Sequence, residues 1–188
     1  MSIVVLSGST MGSKTRTAMN AVYDQIKNQH PDETVTLIDL ADHELVFSDG
    51  RNYLEYTGDT QYVTQKLMDA DAIFIGTPIF QASIPGSLKN IFDLLPQNGL
   101  RDKTVSLLVT AGSAKHYLIA ETQLKPILAY MKAQIVQTFV FMEERDFHRK
   151  EIVNEDALFR IERLVEDTFI LMNTYQSVKQ AKEEEYGF

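Results

Sequence analysis

SIVVLSGSTMGSKT, residues 2–15, sets the reading of the whole chain. Residues 2–7 form a short apolar run without alternation, the pattern of a parallel strand covered on both faces. The loop after it, GSTMGSKT (8–15), puts Gly8, Lys14 and Thr15 in register with the nucleotide-loop pattern G-x-x-x-x-G-K-[ST]. Where that pattern has its second glycine the chain has Ser13, which lacks the backbone freedom to curl around a β-phosphate. No later strand supplies an acidic partner for Mg²⁺ either. AIFIGT (72–77) runs into Pro78, and TVSLLVT (104–110) into Ala111-Gly112. A strand, a hydroxyl-rich loop and a helix remain, without the parts of an ATPase.

The same unit repeats outward along the chain. Short β-rich runs occur at 2–7, 34–39, 72–77, 104–110 and 134–142. Helical patterns fall between them near 14–29, 59–70, 84–95 and 116–132, with a long last one near 154–182. Ile84, Leu88, Ile91 and Leu95 make one apolar stripe, and Leu158, Ile161, Val165, Phe169, Met172 and Tyr175 another. Five strand–helix repeats predict an α/β, flavodoxin-like three-layer sandwich: a five-stranded parallel sheet in the order 2-1-3-4-5 with helices on both faces. Residues 1–188 read as one domain, since no repeat or linker divides them. Pro126 should end or kink the fourth helix near Lys125. The stretch 41–59 is long for a strand-to-helix connection, and reads as a functional or interface loop or as a plain surface excursion.

Bulk properties narrow the classes. The chain has 44% apolar and 23% charged residues and a formal net charge of −8, with acids concentrated late. That balance argues against nucleic acid or an anionic membrane as partner, because both require clustered cations. The absence of cysteine excludes disulfides, thiolate metal sites, iron–sulfur clusters and a cysteine nucleophile. The apolar start reads as a strand and not as a leader, so a cytoplasmic setting is expected. The terminal EEEYGF (183–188) reads as a solvated tail.

Ligands of doubly wound sheets bind at the carboxyl edge, where the strand–helix loops gather. The first loop holds Ser7, Ser9, Thr10, Ser13, Thr15 and Thr17, six hydroxyls in eleven positions, more than capping one helix requires. Its N–H groups and the positive end of a helix dipole suit a terminal phosphate, with Lys14 or Arg16 adding charge. A second loop, GTPIFQASIPGSLKNIFDLLP (76–96), offers stiff Pro78 and the flat face of Phe80, with Ser83 and Pro85 opening the next helix. A third, TAGSAKH (110–116), offers small residues and free N–H groups. One loop for phosphate and two for a planar ring describe an FMN site.

At these residues the sequence resembles the NADPH-dependent FMN reductase family of flavodoxin-like proteins. GTPIFQASIPGSLKN (76–90) compares with T-P-x-Y-x-x-S-x-P-G-x-L-K-N, and GST…SKT with G-S-x-R-x-x-S-x-[ST]. Residues 93–135 are most similar to the reductases of two-component sulfonate monooxygenase systems. The resemblance implies that Ser9, Ser13, Lys14 and Thr15 hold the FMN phosphate. It implies that Pro78, Ile79, Phe80 and Gln81 flank the ring, with Thr110, Ala111, Gly112 and Ser113 over its pyrimidine side. Three positions depart from the pattern. Met11 stands in the phosphate loop where the family has arginine, Phe80 replaces tyrosine, and Thr122-Gln123 occupies the place of a distinctive tyrosine.

The implied activity is hydride transfer from NADPH or NADH to FMN, then to a flavin-dependent monooxygenase or a small acceptor. Flavin chemistry needs position and electrostatics from the protein, so no catalytic side chain and no metal ligand is assigned. His116 could touch the flavin edge or the nicotinamide, or simply hydrogen-bond locally at a helix start; His30, His43 and His148 read as surface residues. Tyr117, Leu118, Ile119, Tyr130 and Met131 give the fourth helix surplus apolar surface, for a homodimer or homotetramer or for packing within the monomer. A quinone or azo reductase with tightly bound FMN, and a non-enzymatic electron carrier, remain as alternatives.

Overall fold

The computed structural model describes residues 1–186. Strand β1 (Ser2–Ser7) leads into helix α1 (Lys14–Gln29), β2 (Thr34–Asp39), α2 (Gly58–Asp69) and β3 (Ala72–Pro78). Then come α3 (Gly86–Leu94), β4 (Thr104–Ala111), α4 (Lys125–Tyr130), β5 (Gln134–Ile135) and β6 (Val140–Glu143). A small hairpin, β7 (Phe147–His148) and β8 (Glu151–Ile152), precedes the long α5 (Glu155–Tyr186). The sheet runs β2-β1-β3-β4-β5 and all its pairings are parallel, as the alternation of runs predicts. Among the described residues, no helix is long and apolar enough to cross a membrane.

Successive strand residues point to opposite faces, and the sequence deals apolar residues to both. Ile3, Val5, Phe74 and Leu108 face one core, closed by Ala18, Met19, Val22 and Ile26 of α1 and by Ile161, Val165, Phe169 and Met172 of α5. Val4, Leu6, Ile73, Ile75, Val105 and Leu107 face the other, closed by α2, α3 and α4 through Val63, Leu67, Leu88, Ile91 and Leu128. Within α5 the buried stripe runs through Ala157 and Leu164, while Leu158 is 43% exposed, against the expectation for that residue.

Four other expectations are corrected. The run 134–142 is not one strand. Val105 faces Ile135 but Leu108 faces Val140, so three steps on β4 match five on the edge, and the surplus at 136–139 splits the strand in the manner of a bulge. The helix expected over 116–132 is a 3₁₀ turn (Ala114–His116), a π-helical turn (Ala120–Leu124) and the short α4. Pro126 has no N–H for a carbonyl one turn earlier, and the wider π turn ends where that gap begins. Ser83 does not cap α3, whose N-cap is Pro85. Instead Phe80 and Ser83 exchange two backbone hydrogen bonds (2.9 and 3.0 Å) around Gln81 and Ala82, both at positive φ. Finally, α5 continues through Glu183–Glu185 where a tail was expected, while Gly187 and Phe188 lie outside the described residues.

The stretch 41–59 is fastened down. Asn90 of α3 accepts from the Ser48 N–H (2.9 Å) and donates to the Val46 carbonyl (3.0 Å), and the Val46 N–H donates to Thr60 (3.1 Å). At its tip Arg51 and Tyr56 both donate to Asp49, and the guanidinium holds that carboxyl well below the usual carboxylate range.

Candidate functional site

Parallel register brings the strand ends to one edge. Ser7 lies beside Asp39 and Gly76, Pro78 beside Thr110, and Ala111 beside Glu143. The loops leaving these ends enclose a cleft of about 490 Å³, within the range of small-molecule sites. Met11, Gly12, Ser13, Lys14 and Thr15 line one side, Pro78, Ile79 and Phe80 a second, and Thr110, Ala111 and Gly112 a third. Ten of the thirteen residues singled out in the sequence are therefore brought together here.

The other three do not line the cleft. Ser9, buried, shapes the loop from beneath: its Oγ donates to the Met11 carbonyl (2.6 Å) and accepts from the Met11 N–H (3.2 Å). Gln81 sits exposed at the tip of the Phe80–Ser83 turn. Ser113 follows Gly112 and leads into the 3₁₀ turn. His116 is half-buried in that turn and is not among the lining residues.

The first loop is built to leave donors free. Ser13 is the N-cap of α1, yet its side chain makes no capping hydrogen bond, and there is no acidic residue in the first turn. The initial N–H groups of a helix have no intrahelical partner, so this end presents donors and a positive dipole to the cleft. Gly12, at φ +81, makes the turn; a Cβ there would meet nothing within 4 Å, so the position is held by backbone angle and not by crowding. Gly8 serves a different purpose, since a Cβ on it would lie 2.9 Å from the Gly76 carbonyl oxygen. Thr15 and Thr110 share a buried hydrogen bond (2.8 Å) that ties the first loop to the third.

Charge is sparse and already committed. Arg16 is turned away, paired with Asp42 (2.6 Å) and buried Asp39 (3.1 Å). Lys14 is the one cation among the lining residues, and its Nζ donates to Glu144 Oε1 (2.6 Å). That hydrogen bond holds the Glu144 carboxyl below its ordinary value. Phe80 is 39% exposed, leaving a flat apolar face available to a ring. Nothing lies within 4 Å of where a Cβ on Gly112 would be, so at that residue the third loop offers the cleft open backbone.

Gly12 and Glu144 are what the sequence reading missed. Gly12 is the interior glycine of GSTMGSKT, and matching the loop to a pattern with glycine at 13 hid it. Glu144 follows directly on β6, so the rule that ligand sites lie beyond strand ends points to it once the strand's end is placed at Glu143.

The sequence model of the family described as NADPH-dependent FMN reductase matches residues 1–147. An NAD(P)H-dependent FAD/FMN reductase of Geobacillus thermodenitrificans is 37% identical over 165 residues, covering 87% of this chain and 89% of that protein. The NADH-dependent FMN reductase SfnF of Pseudomonas fluorescens is 30% identical over 176 residues, 93% of this chain and 94% of that protein. Among solved structures, the apo form of the NADH:FMN oxidoreductase EMOB superimposes with a TM-score of 0.74 at 26% identity, covering 88% of this chain and 87% of that one.

Proposed function

The chain belongs to the NADPH-dependent FMN reductase family, and we propose that its three-loop cleft is where FMN lies and meets the nicotinamide. The activity is that of an NAD(P)H-dependent flavin oxidoreductase. One observation supports the placement above the rest: an uncapped helix start, a flat aromatic face and a bare glycine loop converge on one cleft. Those are the three surfaces that a phosphate, a ring and a pyrimidine edge require.

In this reading the N–H groups of residues 13–15 and the hydroxyls of Ser13 and Thr15 bind the phosphate, and Lys14 adds the charge. Ser9 keeps that loop in shape from below. Pro78, Ile79 and Phe80 flank the ring, with Gln81 at its rim, and Met11 covers the phosphate end. Thr110, Ala111, Gly112 and Ser113 bring backbone donors to the pyrimidine side, where negative charge develops on reduction. When bound, the flavin accepts the hydride at its ring and passes the electrons on. The protein positions and shields, and no side chain is assigned a proton.

With one cation, itself paired, the cleft suits a flavin that comes and goes. The reduced flavin would then serve a flavin-dependent monooxygenase, with exposed Tyr117, Leu118 and Tyr130 available for self-association and the cytoplasm supplying the nicotinamide. The test is anaerobic. The protein is mixed with a large excess of FMN and with NADPH or NADH, and the visible absorption of the flavin is followed. Bleaching of the whole excess is the expected result. Loss of one equivalent alone would mean a resident flavin and a different acceptor, and no bleaching with either donor would refute the reading that FMN meets the nicotinamide here and favour an electron carrier.

A further inference from the structure

We infer that Glu144 competes with the flavin phosphate for Lys14 and thereby sets how readily the flavin leaves, an inference that rests on the phosphate placement proposed above. Lys14 is the one cation among the cleft-lining residues, and its ammonium already donates to Glu144 Oε1 at 2.6 Å. The neighbouring cation, Arg16, does not line the cleft and is already paired twice. Arg16 is held at 3.1 Å by Asp39 and at 2.6 Å by Asp42, on the other side of the loop.

Glu144 does not line the cleft itself, but the fold of its backbone brings it to Lys14, which does. The last residue of β6, Glu143, pairs in register with Ala111, which lines the cleft, so the chain leaves the sheet beside the site. The turn carrying Glu144 is then fastened by Asp146, only 5% exposed. Its carboxylate accepts the Glu143 N–H (2.7 Å) and an Asn154 side-chain N–H (2.6 Å), while its carbonyl accepts the Val153 N–H (2.9 Å). Asp146 therefore fixes the backbone turn from which Glu144 reaches Lys14.

The consequence follows from charge alone. A phosphate that takes Lys14 exchanges one ion pair for another, and leaves the freed carboxylate beside a group of like sign. Both partners of the present pair are solvent-accessible, with side-chain exposures of 42% and 72%, so the competition is modest. Exposed pairs shift equilibria by roughly two- to fivefold. That range adjusts the exchange of the flavin without changing any contact to the ring.

The experiment measures dissociation constants by flavin fluorescence for FMN and for riboflavin, which has the ring but no phosphate. Glu144→Gln should tighten FMN about two- to fivefold and leave riboflavin unchanged; Glu144→Lys should tighten FMN further. Lys14→Met should weaken FMN and spare riboflavin, which checks the placement independently. If Lys14→Met behaves so but Glu144→Gln leaves FMN unchanged or weaker, the competition is refuted and the placement stands. If Lys14→Met fails to separate FMN from riboflavin, the placement falls and the inference with it.

Discussion

Two glycines meet where the site begins, and neither is there for flexibility. Gly8 donates its N–H to the Gly76 carbonyl at 2.8 Å, so β1 and β3 stay paired at the point where the first loop departs. A Cβ on Gly76 would lie 2.3 Å from Met19 Sδ, inside the core packed by α1. Gly76→Ala must therefore push the fully buried Met19 side chain aside, and Thr15 Cγ2 at 3.2 Å must give a little as well. We expect a loss of about 1–3 kcal/mol, as for other overpacked cores, measured as a lower denaturation midpoint with an unchanged slope. A midpoint equal to wild type would mean that Met19 relaxes freely. Residues of this kind are hard to read in a sequence. Gly76 sits in AIFIGT like any strand residue, and only the packing shows what its missing side chain makes room for. Gly12 was legible in principle, since a lone glycine amid hydroxyls marks a turn.

Elements were legible where the pattern repeats and illegible where it is interrupted. Strands β1, β3 and β4 follow from apolar runs, because burial on both faces leaves little choice of residue, whereas edge strand β2 is buried only at Ile38 and Asp39 and is read from its place in the alternation. The split between β5 and β6 carries no such signal: QIVQTFVFM (134–142) reads as one run, and the surplus shows only in its register against β4. The β7–β8 hairpin turns at Arg149 and Lys150, both at positive φ. Such a turn ordinarily announces itself with asparagine and glycine, and here it does not. The far end of α5 shows how an element can outlast its core. No residue from 173 to 185 is buried, and short helices without packing are marginal. What anchors this stretch is Asp102, which accepts from Tyr175 Oη (2.7 Å) and Lys179 Nζ (2.8 Å). The Lys179 bond, then the Tyr175 bond, depress the Asp102 carboxyl, and the same carboxylate raises Lys179 and Tyr175. A depressed carboxyl stabilises fully above its unfolded value and loses that contribution as pH falls through the folded one. The two raised groups lose theirs as pH rises through their folded values. Amide protection over 173–185, the exchange rate relative to an unstructured chain at the same pH, should thus be greatest at neutral pH, fall below about pH 4, and fall again at the alkaline end. Asp102→Asn should abolish the acidic limb and raise exchange at neutral pH, with the sheet amides unaffected. A flat profile in wild type would show that the anchor carries no weight.

At the scale of the whole molecule, attraction at the site and the surrounding field oppose each other. The chain carries a net charge of −8, and Asp39, Asp42 and Glu144 already neutralise Arg16 and Lys14. Both ligands, FMN and the nicotinamide dinucleotide, are anions. A negative protein slows the approach of an anion over distances of a Debye length, which is about 30 Å at 0.01 M ionic strength and about 8 Å at 0.15 M. Raising salt through that range should therefore increase the association rate of FMN. The close contact between phosphate and Lys14 acts over a few ångströms and governs departure, so salt should also raise the dissociation rate. The two effects pull the equilibrium constant in opposite directions, and only the separated rates reveal them. Stopped-flow fluorescence with FMN and with uncharged riboflavin decides the matter: the FMN on-rate should climb with salt while the riboflavin on-rate stays level. An FMN on-rate that falls instead would mean that the cleft's own potential is positive despite the net charge, with the α1 dipole outweighing the acids around it.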